Sequence, residues 1–257
     1  MSHSSPRRRK ALGQHFLVDE KLADRIVAAA EIEPGERILE IGPGRGVLTE
    51  RLAPLGKLVA VEKDRWLAAV LRQRFGDELE LVTGDALEVE LPPSDVVVAN
   101  LPYNIGTALF TRWMGGEDWP PNWTSLTLMF QQEVAQRIVA KPGSGAYGRL
   151  AVLAQWRGTA KLAMKVHRSA FTPPPKVMSA IVHVEPATMP EGVSAAKLEQ
   201  VTAAAFGQRR KMLRQSLKGV PGALDALEAL NIEPTRRAET LDIGEFLELA
   251  RFLTAAN

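Results

Sequence analysis

The sequence predicts an α/β fold, a Rossmann-like and mainly parallel sheet followed by a small all-helical C-terminal domain. Three observations carry this. Short runs rich in Val, Ile and Leu alternate with helical patterns through the first half of the chain. A glycine-rich turn, Gly42-Pro43-Gly44-Arg45-Gly46, stands between the first such strand and the next helix. From Ser194 onward the alternation stops and apolar residues recur only at helical spacing.

After a basic arm, Asp19 caps a helix whose apolar positions are Leu22, Ile26, Val27 and Ala30. Strands follow at Arg37–Ile41, Leu58–Glu62, Leu79–Val82, Asp95–Asn100 and Ser125–Phe130. Helices between them fall at Val47–Leu55, Arg65–Phe75 and around Thr107–Met114, as right-handed parallel crossovers require. Val134–Ala140 and Tyr147–Arg157 read as helices, and Lys161–Val166 and Ala180–Glu185 as a closing pair of strands. Thr172–Pro175 reads as irregular, because consecutive prolines remove donors and force an extended path. The last helices are marked by Val201 and Ala205, Leu213 and Leu217, Leu224, Leu227 and Leu230, then Phe246, Leu249, Ala250 and Leu253, with breaks at Pro221 and Asn231–Pro234. The expected organisation is a basic arm at 1–18, a ligand-binding sheet domain at 19–188 and a helical docking domain at 189–257.

With 257 residues, 46% of them apolar, the chain buries an ample core, which excludes intrinsic disorder. It has no Cys, hence no disulfide framework, thiolate metal site or Cys nucleophile, and its four His are scattered, which argues against zinc and gives an expectation of no metal. The longest apolar runs, such as Leu58–Val61 and Val96–Ala99, are strand-sized and the N-terminus has no apolar leader, so a cytoplasmic protein with no membrane contact is expected. The net charge of +2 hides an uneven distribution. Residues 134–184 hold eight bases and no acid, residues 200–224 five bases and no acid, and the arm at 1–18 four bases and no acid. One such run is usually a solvated face, but three together point to a nucleic-acid partner.

The glycine turn sits where α/β sheets bind ligands, at the carboxyl ends of the strands. Its G-x-G-x-G spacing is not the G-x-G-x-x-G that seats a pyrophosphate, and alone it is also what a plain strand-to-helix turn looks like. Glu62 closes the second strand, 20 residues past Gly42, where it can accept from a ribose diol; Asp85, with Ala86 beside it, closes the third strand, placed to accept from an adenine amino group. Either acid alone is as readily a helix cap. Taken with the glycine turn, they suit an adenosine without phosphates, which is to say S-adenosyl-L-methionine. Asn100-Leu101-Pro102-Tyr103 follows directly on the fourth strand. An amine conjugated to a purine is a poor nucleophile until acceptors bind both its hydrogens and favour a pyramidal nitrogen. The Asn100 carboxamide oxygen and a carbonyl freed at the Leu101-Pro102 turn supply two acceptors, and the Tyr103 ring a surface for the base to stack on.

At these residues the chain resembles the small-subunit ribosomal RNA adenine dimethyltransferases, the KsgA and Dim family. The resemblance runs through Leu12-Gly13-Gln14-His15-Phe16-Leu17, Glu40-Ile41-Gly42-Pro43-Gly44, Asn100-Leu101-Pro102-Tyr103-Asn104-Ile105, Ala146-Tyr147-Gly148-Arg149-Leu150, Phe171-Thr172-Pro173-Pro174-Pro175-Lys176-Val177 and Ala205-Phe206-Gly207-Gln208-Arg209-Arg210-Lys211. It implies a class I methyltransferase domain and a helical domain that helps dock the maturing small subunit. The implied reaction is N6,N6-dimethylation of two adjacent adenines in the 3′-terminal hairpin loop of small-subunit (16S) RNA, by a monomer with a part in subunit biogenesis. It also implies that S-adenosyl-L-methionine is contacted at His15, Leu17, Gly42, Gly44, Glu62, Asp85, Ala86 and Asn100. Phe171 matches an aromatic that sandwiches the flipped adenine opposite Tyr103; as a plain alternative it is a core residue. Two positions depart from the family pattern: His15 stands where many relatives have Asn, and Gly106 where Ser is usual, with a helix-cap hydroxyl lost and a looser turn expected.

Three rival functions share parts of this pattern. A large-subunit adenine methyltransferase of the macrolide-resistance type shares the glycine turn, an Asn-containing motif and the Phe-x-Pro segment, but the Ala-Tyr-Gly-Arg-Leu and Gln-Arg-Arg-Lys stretches favour the small-subunit family. A non-catalytic assembly factor is disfavoured by the intact Asn100, Tyr103, Glu62 and Asp85. A nicotinamide-dependent dehydrogenase rests on the sheet and glycines alone.

Overall fold

The computed structural model describes residues 15–115 and 119–255. The arm through residue 14, and with it most of the basic 1–18 segment, lies outside the described residues. The described chain forms two compact units. The first runs up to Trp113 and adds Pro121–Ala135 and Lys161–Pro186; the second comprises Met114–Pro120, Gln136–Ala160 and the chain from Ala187.

In the first unit, strands β1 (Phe16–Leu17), β2 (Arg37–Ile41), β3 (Lys57–Glu62), β4 (Leu79–Thr83), β5 (Val96–Asn100), β6 (Ser125–Gln131), β7 (Gly158–Val166), β8 (Phe171–Thr172) and β9 (Ser179–Pro186) occur in chain order. Seven form one sheet in the order β4-β3-β2-β5-β6-β9-β7, while β1 and β8 pair with each other. The pairs β4-β3, β3-β2, β2-β5 and β5-β6 are parallel, with Glu40 beside Ala60, Glu62 beside Thr83 and Asn100 beside Met129. Parallel register places the carboxyl ends of β2, β3, β4 and β5 on one edge, which aligns Ile41, Glu62, Thr83 and Asn100. β9 runs antiparallel to β6. Both faces are covered, so the central strands read as continuous apolar runs, Val96–Ala99 being at most 1% exposed.

The helices around this sheet are α1 (Glu20–Ala28), α2 (Thr49–Leu52), α3 (Arg65–Phe75) and α4 (Gly106–Gly115), and α5 (Gln132–Ile138) follows β6 in the chain. Asp19 caps α1 by accepting from the Leu22 N–H at 2.9 Å, and Asp64 caps α3 through the N–H groups of Trp66 and Leu67. α2 is shorter than the expected Val47–Leu55 helix, because the glycine turn, with Gly46 at φ +82°, carries the chain up to its first turn. The prolines do break regular structure, but only after Thr172, whose backbone pairs with Phe16.

The second unit holds α6 (Arg149–Arg157), α7 (Ala195–Gly207), α8 (Leu213–Ser216), α9 (Ala223–Ala229) and α10 (Ile243–Ala255). Its core joins Tyr147, Val152 and Trp156 to Val201, Ala205, Leu213, Phe246 and Leu249. This unit therefore reaches back well before residue 189, because the apolar face of α6 packs on the C-terminal helices. Arg157, 2% exposed, lies over the rings of Trp156 and Trp119 at 4.1 and 4.9 Å from their centroids and donates to the Met114 carbonyl at 3.1 Å.

Candidate active site

The carboxyl edge of the sheet opens into a cleft of about 1060 Å³, its solvent-exposed mouth included. It is lined by the glycine turn, the ends of β3 and β5, the start of the loop after β4, and His15–Leu17. The residues expected at the cofactor, His15, Leu17, Gly42, Gly44, Glu62, Asp85, Ala86 and Asn100, all line it, as do Leu101, Pro102 and Tyr103.

The glycine turn is shaped by its backbone. Gly42 and Gly44 have φ of +69° and +60°, which a side chain tolerates poorly, and a Cβ on Gly44 would stand 3.1 Å from the Phe16 ring. The turn thereby aims the Gly44 N–H at Glu62, which accepts it at 3.1 Å on Oε2 and the Asp64 N–H at 2.8 Å on Oε1. Glu62 is 4% exposed, and burial pushes its carboxyl above the usual range against the pull of those two donors. Its oxygens are locked in place with lone pairs left over, as a diol acceptor requires. Asp85 accepts from Lys63 Nζ at 2.5 Å and from the Leu87 N–H at 3.0 Å. Those contacts, the lysine foremost, hold its carboxyl below the usual range, so it is an anionic acceptor at neutral pH.

Asn100 is oriented from its donor side. Its Nδ2 donates to the His15 carbonyl at 3.3 Å, which leaves Oδ1 as the free acceptor of the carboxamide. The Pro102 carbonyl is occupied, taking the N–H groups of Ile105 and Gly106 at 3.0 and 3.1 Å, whereas the Leu101 carbonyl meets no donor among the described residues. The acceptor freed at the turn is thus that of Leu101. An unmatched carbonyl at the wall of a cleft awaits an external donor. Tyr103 stands beside these acceptors, half-buried, with its hydroxyl 2.6 Å from Ser179 Oγ and its ring centroid 5.6 Å from that of His15. Burial raises the Tyr103 phenol above its ordinary value, so it stays neutral.

Both departures from the family pattern have a structural reading. At position 15 the backbone carbonyl, not the side chain, orients Asn100, so His serves; its Nδ1–H donates to the Pro173 carbonyl at 2.8 Å. Gly106 opens α4, where a Cβ would stand 3.3 Å from Phe130, so the small residue relieves crowding and the turn is held by the Pro102 carbonyl. Phe171 is a different matter. It is 3% exposed, does not line the cleft, and packs in the core with Leu17, Met129 and Ile181, which is the plain alternative of a core aromatic.

Sequence reasoning passed over Glu40 as a ligand-facing group, although it stands two residues before Gly42 of the glycine turn. It lines the cleft at 1% exposure and accepts from Thr49 Oγ1 at 2.7 Å. Desolvation, resisted by that hydroxyl and reinforced by Glu62, pushes its carboxyl up to about 8. Lys63 and Phe16 also line the cleft, and only their chain neighbours, Glu62 and Leu17, had signalled it. Elsewhere in this unit Glu31, His183 and Glu185 bring potential ligand atoms within 4.8 Å of one another. These groups already have partners: Thr127 and Glu185 for the His183 ring, Lys161 for Glu31.

A doubly covered parallel sheet with a glycine turn, two strand-end acids and an Asn-Leu-Pro-Tyr acceptor motif at one edge defines a Rossmann-like class I methyltransferase. The family model described as ribosomal RNA adenine dimethylase matches residues 6–255, and the chain belongs to that family. It is 62% identical over 255 residues to the ribosomal RNA small subunit methyltransferase A of Novosphingobium aromaticivorans, covering 95% of this chain and 93% of the relative. Among solved structures it is similar to a dimethyladenosine transferase from Plasmodium falciparum, with a TM-score of 0.81 at 30% identity over 91% of this chain and 96% of that one. The 23S rRNA methyltransferase ErmE is also similar, with a TM-score of 0.70 at 29% identity over 93% of this chain and 99% of that one. Among the described residues no helix is long and apolar enough to cross a membrane.

Proposed function

We propose that this enzyme uses S-adenosyl-L-methionine to dimethylate N6 of two adjacent adenines in the 3′-terminal hairpin loop of small-subunit ribosomal RNA. It acts as a monomer on the maturing subunit in the cytoplasm. The observation that carries this reading is the acceptor pair at the end of β5: the Asn100 carboxamide, turned by the His15 carbonyl so that Oδ1 is free, beside the unmatched Leu101 carbonyl. Two acceptors suit the two hydrogens of an exocyclic amine, and a neutral Asn suffices because the proton turns acidic only as the new C–N bond forms and then leaves to solvent.

The cleft's donor set fits the cofactor. Glu62 suits the ribose diol, Asp85 the adenine amino group, and the apolar walls at Ile41, Leu48 and Leu101 the remaining surface. When bound, S-adenosyl-L-methionine supplies the electrophilic methyl carbon. This chain's own residues position the amine: Asn100 and Leu101 grip its hydrogens, Tyr103 stacks the base, and the rigid end of β5 fixes the line of approach. Taking the base from an already poorly stacked loop costs little. The acid-free runs at 134–184 and 200–224 supply the phosphate contacts that hold the RNA in register.

The test is to give the protein isotopically labelled methyl donor with undermethylated small and large ribosomal subunits in parallel. Label in the small-subunit RNA alone is expected. Label in the large subunit alone would transfer the assignment to the reaction of the macrolide-resistance enzymes.

A further inference from the structure

The buried Ser179 hydroxyl, which reaches the site through Tyr103, has no role in the function as proposed. Ser179 opens β9, is 0% exposed and pairs through its backbone with Gln131 of β6, so the sheet fixes its position. Among the described residues its Oγ has one side-chain partner, the Tyr103 hydroxyl at 2.6 Å. On the proposed reading, Tyr103 is the surface on which the target base stacks, and a stacking ring is useful only while it is held in place beside the acceptors.

We infer that Ser179 is a positioning residue for the target adenine, its sheet-anchored hydroxyl tethering the far end of Tyr103 so that the ring keeps its place beside Asn100 and Leu101. This rests on the functional reading above. Tyrosine turns about two side-chain bonds; its hydroxyl oxygen lies on the axis of the second, so pinning it to an immobile partner restrains the first and fixes where the ring stands. His15, tilted 35° against the same ring, limits motion on one side, but without the tether the hydroxyl end is free to swing toward solvent. A buried hydroxyl without a partner is costly, so the pair also resists opening.

Tyr103→Phe removes the tether and keeps the ring; Ser179→Ala removes it from the other side. Single-turnover methyl transfer to undermethylated small subunits, at saturating cofactor, should fall roughly 3- to 10-fold in either variant. The double variant should fall no further than the singles, because both lose one shared contact. S-adenosylhomocysteine affinity should not change, whereas 2-aminopurine placed at the target position of a hairpin RNA should lose the quenching that stacking on Tyr103 produces in the wild type. Wild-type transfer and quenching in Tyr103→Phe would overturn the inference, as would multiplicative losses in the double variant. If Ser179→Ala fails to fold, Tyr103→Phe decides alone. A wild-type protein that methylates no small subunit overturns the functional reading and this inference with it; an active wild type with an indifferent Tyr103→Phe overturns this inference only.

Discussion

Replacing Glu40 by Gln should make the protein more stable and flatten its response to pH. The carboxyl is 1% exposed and titrates near 8 in the folded state, against 4.5 in the unfolded chain. Between those values the folded protein holds a proton that the unfolded chain has released, so raising the pH favours unfolding. This is the reverse of the usual carboxylate, whose stabilising contribution grows above its unfolded value. Full separation is worth about 1.4 kcal/mol per pH unit, and moving from about pH 5.5 to about 7.5 costs about 2.5 kcal/mol from this residue alone. For a protein of this size that amounts to roughly 5 to 10 °C in Tm. Gln keeps an oxygen for the Thr49 hydroxyl, which donates at 2.7 Å, and removes the ionisable group. The assay is thermal melting of both proteins across that range. A wild-type Tm that falls with pH and converges at acid pH on that of Glu40→Gln is expected. Parallel profiles would refute the reasoning, since the remaining buried acid, Glu62, is common to both.

Three further outcomes are expected. Gly44→Ala forces a side chain onto φ +60° and against Phe16 at 3.1 Å, and the left-handed cost of about 1–2 kcal/mol should weaken S-adenosylhomocysteine binding roughly 5- to 30-fold by calorimetry. Asp85→Ala removes an anionic acceptor and should raise the same Kd by about 10- to 100-fold, as expected for a hydrogen bond to a charged group. Phe246→Ala empties a fully buried site beside Phe206 in the helical unit and should cost about 3–5 kcal/mol, read from denaturant unfolding.

Much of the site was legible because its residues sit at the ends of parallel strands. A continuous apolar run ending in Glu62 or Asn100 marks where the strand meets the edge, and parallel register then gathers such ends without further information. What was not legible depends on contacts distant in the chain. Nothing near His15 says that its carbonyl meets Asn100, 85 residues away, or that its ring meets Pro173, 158 residues away. Phe171 shows the converse. Its motif announces an aromatic beside the site, but β8 pairs with β1 so as to turn it into the core with Leu17. The helix at 149–157 carries an apolar face that suits packing on a sheet or on other helices equally. Only the tertiary packing of Val152 and Trp156 with Val201 and Phe246 settles that it belongs with the second unit. Glu40 looked like part of a turn motif because burial, the cause of its altered chemistry, is not a property of five residues read in line.

The central claim is that the Asn100 carboxamide oxygen grips the adenine amine during transfer. Mass spectrometry of nucleosides from small-subunit RNA treated with wild-type protein or with Asn100→Ala tests it most directly, because it resolves mono- from dimethyladenosine. The wild type should yield N6,N6-dimethyladenosine. The variant should slow transfer by about 10²- to 10³-fold, as loss of one preorganised transition-state contact does, while still binding the subunit. Dimethyladenosine formed by Asn100→Ala at the wild-type rate would contradict the account.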